Sequence, residues 1–301
     1  MSAIETDRLE RRYGRRWALR DCSLAVPAGR VVGLVGPNGA GKTTLLHMAV
    51  GLLAPTAGSI RVLGGLPPRE RPGQLRRVGF VAQDKPLYRG FRVADMLRFG
   101  AKLNPGWDQD QAVQRLSRLG IPLSQRAGQL SGGQQAQLAL ALALGKRPEL
   151  LVLDEPVANL DPLARREFLQ LLMGEAAQGG LSVVLSSHLV ADLERICDYL
   201  ILLAAGQVQL VGDADDLLAE HRMFAGPRDQ AGLLGRTHTV VHASYTGRQA
   251  TLLVRLRSPA PDLASWTVRP VSLEELVLGY MSGPPPAQAA PSLSCVSEVP
   301  A

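Results

Sequence analysis

The chain is poor in cysteine, in lysine and in long apolar runs, and each shortage excludes something. Its three cysteines, Cys22, Cys197 and Cys295, stand far apart and match no metal-ligand spacing. They predict reduced thiols in a cytosolic protein rather than a disulfide scaffold. No stretch approaches the roughly 20 apolar residues that cross a bilayer. The N-terminus is charged from Glu5 onward and lacks a signal-peptide core. Any membrane-spanning part would therefore be supplied by other chains. The 33 basic residues outnumber 27 acidic ones and are nearly all Arg, for a formal charge of +6. That balance permits nucleic acid, an anionic membrane face or a nucleotide as partner without choosing among them. The run Arg8, Arg11, Arg12, Arg15 and Arg16 is read as a solvated face.

What is present is more specific. A hydrophobic share of 46% over 301 residues supports a sizeable core in one large domain or two. Gly36-Pro37-Asn38-Gly39-Ala40-Gly41-Lys42-Thr43-Thr44 fits the phosphate-loop pattern at every required position. Val31–Val35 before it suits a buried parallel strand, and 44–50 after it a helix ended by Gly51. At such a strand-to-helix turn the glycines let several N–H groups point inward, and the helix adds its positive end. A triphosphate is the natural guest. Lys42 is placed for the β- and γ-phosphates, and the Thr43 hydroxyl for a magnesium ion. Tyr13, in Arg12-Tyr13-Gly14, has two readings: a ring that stacks on a base, or a half-buried strand tyrosine.

Short strands are expected at 59–62 and 78–82, the latter ending on Gln83. From 84 to about 145 the pattern turns helical, with candidate helices at 93–101, 108–119 and 134–144 broken by Pro105-Gly106 and Ile121-Pro122. Next, Leu150-Leu151-Val152-Leu153 reads as a strand buried on both faces, with Asp154 and Glu155 at its carboxyl end, where ligands of open α/β sheets bind. Two adjacent buried carboxylates without a cation would cost several kcal/mol. A magnesium–nucleotide complex removes that difficulty. Asp154 is then placed to hold the ion through water, and Glu155 to orient or deprotonate the attacking water. Asp161-Pro162 starts a helix, with Asp161 as N-cap. His188 follows the strand 182–186, within reach of a γ-phosphate.

Leu130-Ser131-Gly132-Gly133-Gln134 is the most specific signal. It resembles the signature motif of ATP-binding cassette (ABC) ATPases. With Gly36–Thr43, Gln83, Leu150–Asp154, Glu155, Asp161 and His188 it matches that family's motif order over about Leu9 to Gly212. The resemblance implies an α/β P-loop NTPase fold with an ABC-type helical subdomain, and a cassette at 1–215. It also implies that two cassettes pack head to tail, so that Ser131, Gly132, Gly133 and Gln134 of one face the γ-phosphate held by Lys42 of the other. Two ATP, each with Mg2+, are then sandwiched. By the same resemblance Tyr13 stacks on adenine, Gln83 contacts magnesium and water, Asp161 communicates across the dimer, and His188 polarises the γ-phosphate. Catalysis falls to Glu155, His188, Lys42 and Gln83, and magnesium to Thr43, Gln83 and Asp154. Gln135 and Gln137 depart from the basic residues common after the signature, and Val157 from a common Thr. None of these changes removes a phosphate contact.

Beyond Gly212 the nucleotide motifs stop. A helix at 213–219, a hairpin of 237–244 and 251–256 about Gly247, and a helix opening at Ser272 with Glu275 completing a capping box predict a small α+β accessory domain at 216–281. The remainder, 282–301, led by Pro284-Pro285-Pro286, predicts a disordered tail. A similar Ser-Leu-Glu-Glu helix recurs in ATPase subunits of bacterial exporters of drugs, peptides and lipids. The expectation is therefore the ATPase subunit of an exporter, working with separate membrane-spanning permease subunits on the cytoplasmic face of the cell membrane. Those subunits are expected to dock at 88–91. An ABC importer ATPase and a non-transport ABC ATPase acting on nucleic acid or ribosomes are the rivals. The single cassette and the lack of sustained heptads set nucleic acid aside.

Overall fold

The computed structural model describes residues 1–67, 70–257 and 265–282. The chain opens with an antiparallel pair, β1 (Ser2–Tyr13) and β2 (Arg16–Pro27), and enters β3 (Val31–Val35), the phosphate loop and α1 (Lys42–Ala49). Next come β4 (Ala57–Val62) and β5 (Val78–Val81), then the helices α2 (Val93–Leu103), α3 (Gln109–Arg118) and α4 (Gly132–Leu144). The central fold resumes with β6 (Leu150–Asp154), α5 (Pro162–Ala176), β7 (Ser182–Ser187), α6 (Val190–Leu193), β8 (Tyr199–Ala204) and β9 (Gln207–Asp213).

Six of these strands form one sheet in the order β5-β6-β7-β3-β8-β9, parallel except for the β8–β9 pair. The strands β3, β6 and β7 are buried along their whole length, as continuous Val/Leu runs require when both faces are covered. Alternate residues go to opposite cores. Val31, Leu151, Leu153, Val183 and Leu185 pack with Phe168 and Leu172 of α5. Val32, Leu34, Leu150, Val152 and Val184 pack with α1 and the three-stranded sheet β2-β1-β4. Because β6, β7 and β3 are neighbours, their carboxyl ends place the acid pair, His188 and the phosphate loop side by side.

The helical segment has its own core, built from Val93, Leu97, Ala112, Leu116, Leu130, Leu138 and Ala141. Gly100 and Gly145 hold Trp107 between them: a Cβ on either would come within 2.6 Å of the indole ring. Burial leaves Cys22 and Cys197 as free thiols, each pushed up to about 12 and so protonated and unreactive.

After Asp213, which caps α7 (Ala214–Glu220), follow β10 (His221–Pro227), α8 (Ala231–Thr237), β11 (Thr239–Thr246), β12 (Gln249–Arg255), β13 (Thr267–Pro270) and α9 (Leu273–Ser282). The strands pair antiparallel in the order β11-β12-β10-β13. The expected hairpin is present as β11 and β12, turned at Gly247 with φ 56°. The capping box is present too: Glu275 N–H donates to Ser272 Oγ (3.2 Å), and Ser272 N–H to Glu275 Oε2 (3.0 Å). Thr237, expected to begin a strand, instead ends α8, whose Ala231 and Leu234 are drawn into a core with Phe224 and Trp266. The other face of this sheet lies under α9, and Leu253, Leu273, Leu276, Val277 and Tyr280 join the same core as Leu193, Ile196 and Leu217. One polar cluster sits there. His221 is fully buried, with Nδ1 2.6 Å from Leu217 O and Nε2 2.9 Å from Tyr280 Oη. A carbonyl only accepts, so Nδ1 donates, and Nε2 of the neutral ring accepts from the tyrosine. Burial holds the His221 pKa below its ordinary value. The expected tail lies outside the described residues except for Ser282, which closes α9.

Candidate nucleotide site

The phosphate loop is clamped by strands on both sides. A Cβ on Gly36 would collide with the Leu203 carbonyl of β8, and one on Gly41 (φ 105°) would come 2.5 Å from the Ala18 carbonyl of β2. Only glycine meets both conditions. Lys42, the first residue of α1, is 6% exposed, and its ammonium donates to Gly36 O (2.7 Å) and Pro37 O (3.4 Å). It lies 3.5 Å from Glu155 Oε1.

The acid pair is held differently. Asp154 is 1% exposed and accepts a 2.7 Å hydrogen bond from the Ser186 hydroxyl. Ser186 Oγ accepts in turn from the Glu155 N–H at 2.9 Å, so β7 ties the two acids together. Glu155 has φ 47°, the left-handed region that side chains rarely occupy. Its carboxylate lies between two partners, with Oε2 2.6 Å from His188 Nδ1 and Oε1 facing Lys42.

These groups line a cavity of about 770 Å³. It brings together Tyr13, the loop from Asn38 to Thr44, Gln83, Glu155 and His188. Gly36, Pro37 and Asp154 are not in its lining: the first two accept from Lys42 and Asp154 from Ser186. Tyr13 is about half exposed, which leaves its ring available to stack. Sequence reasoning missed Arg16, Trp17, Ala18, Ala158 and Asn159, which also line the cavity. The signal for the first two was the turn at Gly14: the hairpin sets Tyr13 opposite Arg16 and Arg12 opposite Trp17. Arg16 is exposed, as expected of the arginine run, and lines the cavity as well.

Ser131, Gly132, Gly133, Gln134 and Asp161 are not brought to this cavity. Ser131 caps α4 reciprocally with Gln134 (Gln134 N–H to Ser131 Oγ 3.2 Å, Ser131 N–H to Gln134 Oε1 3.1 Å). Asp161 caps α5 through the Leu163 and Ala164 N–H groups at 3.1 and 3.0 Å. The two helix starts touch, since a Cβ on Gly133 would come 2.8 Å from Ala164 Cβ.

The chemistry on view is that of a polyphosphate site: a glycine cradle at a helix start, one buried ammonium, and a carboxylate with no covalent duty. The sequence pattern of the family described as "ABC transporter" matches residues 19–158, from β2 through the cradle to the acid pair. The Nod factor export ATP-binding protein I of Cupriavidus pinatubonensis is 31% identical over 291 residues, covering 91% of this chain and 89% of that protein. This chain belongs to the ABC transporter ATP-binding proteins. The phosphonates import ATP-binding protein PhnC 1 of Rhodopseudomonas palustris is 36% identical over 241 residues, covering 71% of this chain and 83% of the relative. A solved ATP-binding subunit of an ABC transporter superposes with a TM-score of 0.64 at 29% identity, over 72% of this chain and 92% of that one. This ABC protein is an ATP-binding subunit with the P-loop NTPase fold, and its enzymatic class is ATPase. Among the described residues no helix is long and apolar enough to cross a membrane.

The residues fit ATP and magnesium. The cradle has room only for glycine at its tightest points, and Lys42 is held facing it by the loop's own carbonyls. Thr43 and Gln83, in the cavity lining, and Asp154, bonded to Ser186, carry hard oxygen atoms of the kind that could hold Mg2+.

Proposed function

We propose that this subunit pairs head to tail with a second ABC ATPase subunit, a copy or a close relative, around two Mg-ATP, and that hydrolysis powers export through separate membrane-spanning subunits. One observation carries the pairing. The Ser131–Gln134 helix tip is a second anion-type site, it is exposed, and it stands outside its own chain's cavity. It needs a γ-phosphate held by another chain, and an isologous pair with twofold symmetry supplies one.

Within each site Lys42 binds the β- and γ-phosphates, Tyr13 stacks on adenine, and Thr43, Gln83 and Asp154 hold the magnesium. Bound Mg-ATP supplies the phosphoanhydride to be cleaved and the cation that neutralises its oxygens. Glu155, aimed into the cavity by its left-handed backbone, orients the water and takes its proton. His188, bonded to Glu155, polarises the γ-phosphate. Asp161 speaks across the dimer. The exposed rings of Tyr88, Phe91 and Phe99, with centroids 5.2 and 5.9 Å from Tyr88, form an apolar patch beyond Gln83 that suits docking of a permease on the cytoplasmic face of the membrane. The cassette is 1–215, with its helical subdomain at about 84–145, and 216–281 is an accessory unit that steadies it. Export is supported by the Nod factor relative, whose match runs through 91% of this chain, and by the capped α9. The importer relative PhnC 1 supports the alternative direction.

Glu155→Gln is expected to trap an ATP-bound dimer in sedimentation velocity and to lower turnover ~100-fold or more, the size of a lost general base. A protein that stays monomeric with ATP, or turns over at the wild-type rate, would overturn this reading.

A further inference from the structure

The β1–β2 turn carries a second cation to the phosphate loop. The neighbouring arginines are engaged elsewhere. Arg11 lies 4.8 Å from the Tyr13 ring centre and donates to Ala54 O at 2.9 Å. Arg12 lies 5.3 Å from the Trp17 ring centre. Arg16 differs from both: it lines the cavity and has no carboxylate or hydrogen-bond acceptor among the described residues. Its Nη2 stands 3.6 Å from the point where a Cβ on Gly39 would sit. Gly39, with φ 80°, lies in the glycine cradle itself. The guanidinium therefore rests beside the bend of the phosphate loop.

Charge gives that position a use. Lys42, the buried cation of the cavity, already has Glu155 3.5 Å away, so part of its charge is offset before any ligand arrives. A polyphosphate carries more negative charge than this one ammonium neutralises. A guanidinium is permanently charged and presents a planar fork of donors that matches phosphate oxygens.

We propose that Arg16 is a phosphate-binding residue, reaching the nucleotide's polyphosphate from the solvent side of Gly39 while Lys42 binds it from within the loop. The inference rests on the reading of this cavity as the ATP site. It makes the hairpin a two-part grip, with Tyr13 and Trp17 offering rings to the base and Arg16 a charge to the chain of phosphates.

The test is equilibrium titration of the full chain, wild type and Arg16→Gln, with ATP, ADP and adenosine. The expected result is ATP binding weaker by about fivefold, the size of one solvent-exposed charge contact, with adenosine unchanged. The deficit should shrink as ionic strength rises from about 50 to about 300 mM, since an exposed contact is screened by salt. Unchanged ATP affinity overturns the proposal. So does an equal loss for ATP and adenosine, which would make Arg16 a prop for the aromatic rings. Lys42→Ala, titrated alongside, separates the two claims: ATP binding that survives it refutes the site, whatever Arg16 does.

Discussion

Two polar clusters in this protein are built on opposite plans. At the end of the central sheet, Lys42, Glu155 and His188 converge on a cavity of about 770 Å³, with the Lys42–Glu155 contact at 3.5 Å. Under α9, His221 is closed off completely, both ring nitrogens being used at 2.6 and 2.9 Å by groups of the same chain. Both clusters take polar atoms out of water. The closed one satisfies every donor and acceptor, which is what a buried group needs in order to stabilise a fold. The open one directs hydrogen-bonding and charged groups into the cavity, and it holds Glu155 in a left-handed backbone. Polar groups converging on a cavity mark a site, and saturation marks architecture.

That contrast can be broken by substitutions whose effects should fall on different measurements. The largest expected effect is that of Lys42→Ala, which should weaken ATP binding about 100-fold or more by calorimetric titration, the worth of a charge-assisted hydrogen bond and its Coulomb attraction. Its denaturation midpoint should move little by comparison. Tyr280→Phe reverses the pattern: it leaves His221 Nε2 without its donor and should cost about 1–3 kcal/mol in chemical denaturation, with ATP affinity at the wild-type value. A Tyr280→Phe protein that loses nucleotide affinity but no stability would erase the distinction. The smallest effect is on pH dependence. Burial depresses the His221 pKa below its ordinary 6.5, so the folded state binds fewer protons than the unfolded chain in the window below that value. Stability from this group is full above pH 6.5 and is lost as pH falls toward the folded pKa. The urea midpoint should therefore decline as pH falls below about 6.5, and His221→Gln should flatten that decline.

Legibility in the sequence followed how local each constraint is. The cradle from Gly36 to Thr44 could be read because every position answers to one turn and one ligand. The acid-ended strand could be read because four apolar residues before Asp154 can only be covered on both faces. Caps at Ser131, Asp161 and Ser272 are likewise decided within four residues of chain. Ser186 was invisible because its service to Asp154 and Glu155 depends on β6 and β7 lying side by side. Arg16 and Trp17 depend on the hairpin register about Gly14, which sets them opposite Tyr13 and Arg12. In the C-terminal part, β13 has four exposed residues and so no alternation to detect. The helix α8 carries two glycines within seven residues, a weak helix former that only its packing against Phe224 makes regular.

The shared core beneath α9 bears on how the protein can be divided. Leu193 and Ile196 precede Gly212, yet they reach Leu217, Leu276, Val277 and Tyr280 in a single cluster. A recombinant fragment stopped at Gly212 would turn that seam outward and invite self-association, so anyone shortening this polypeptide should first recode Leu193 and Ile196 as polar residues.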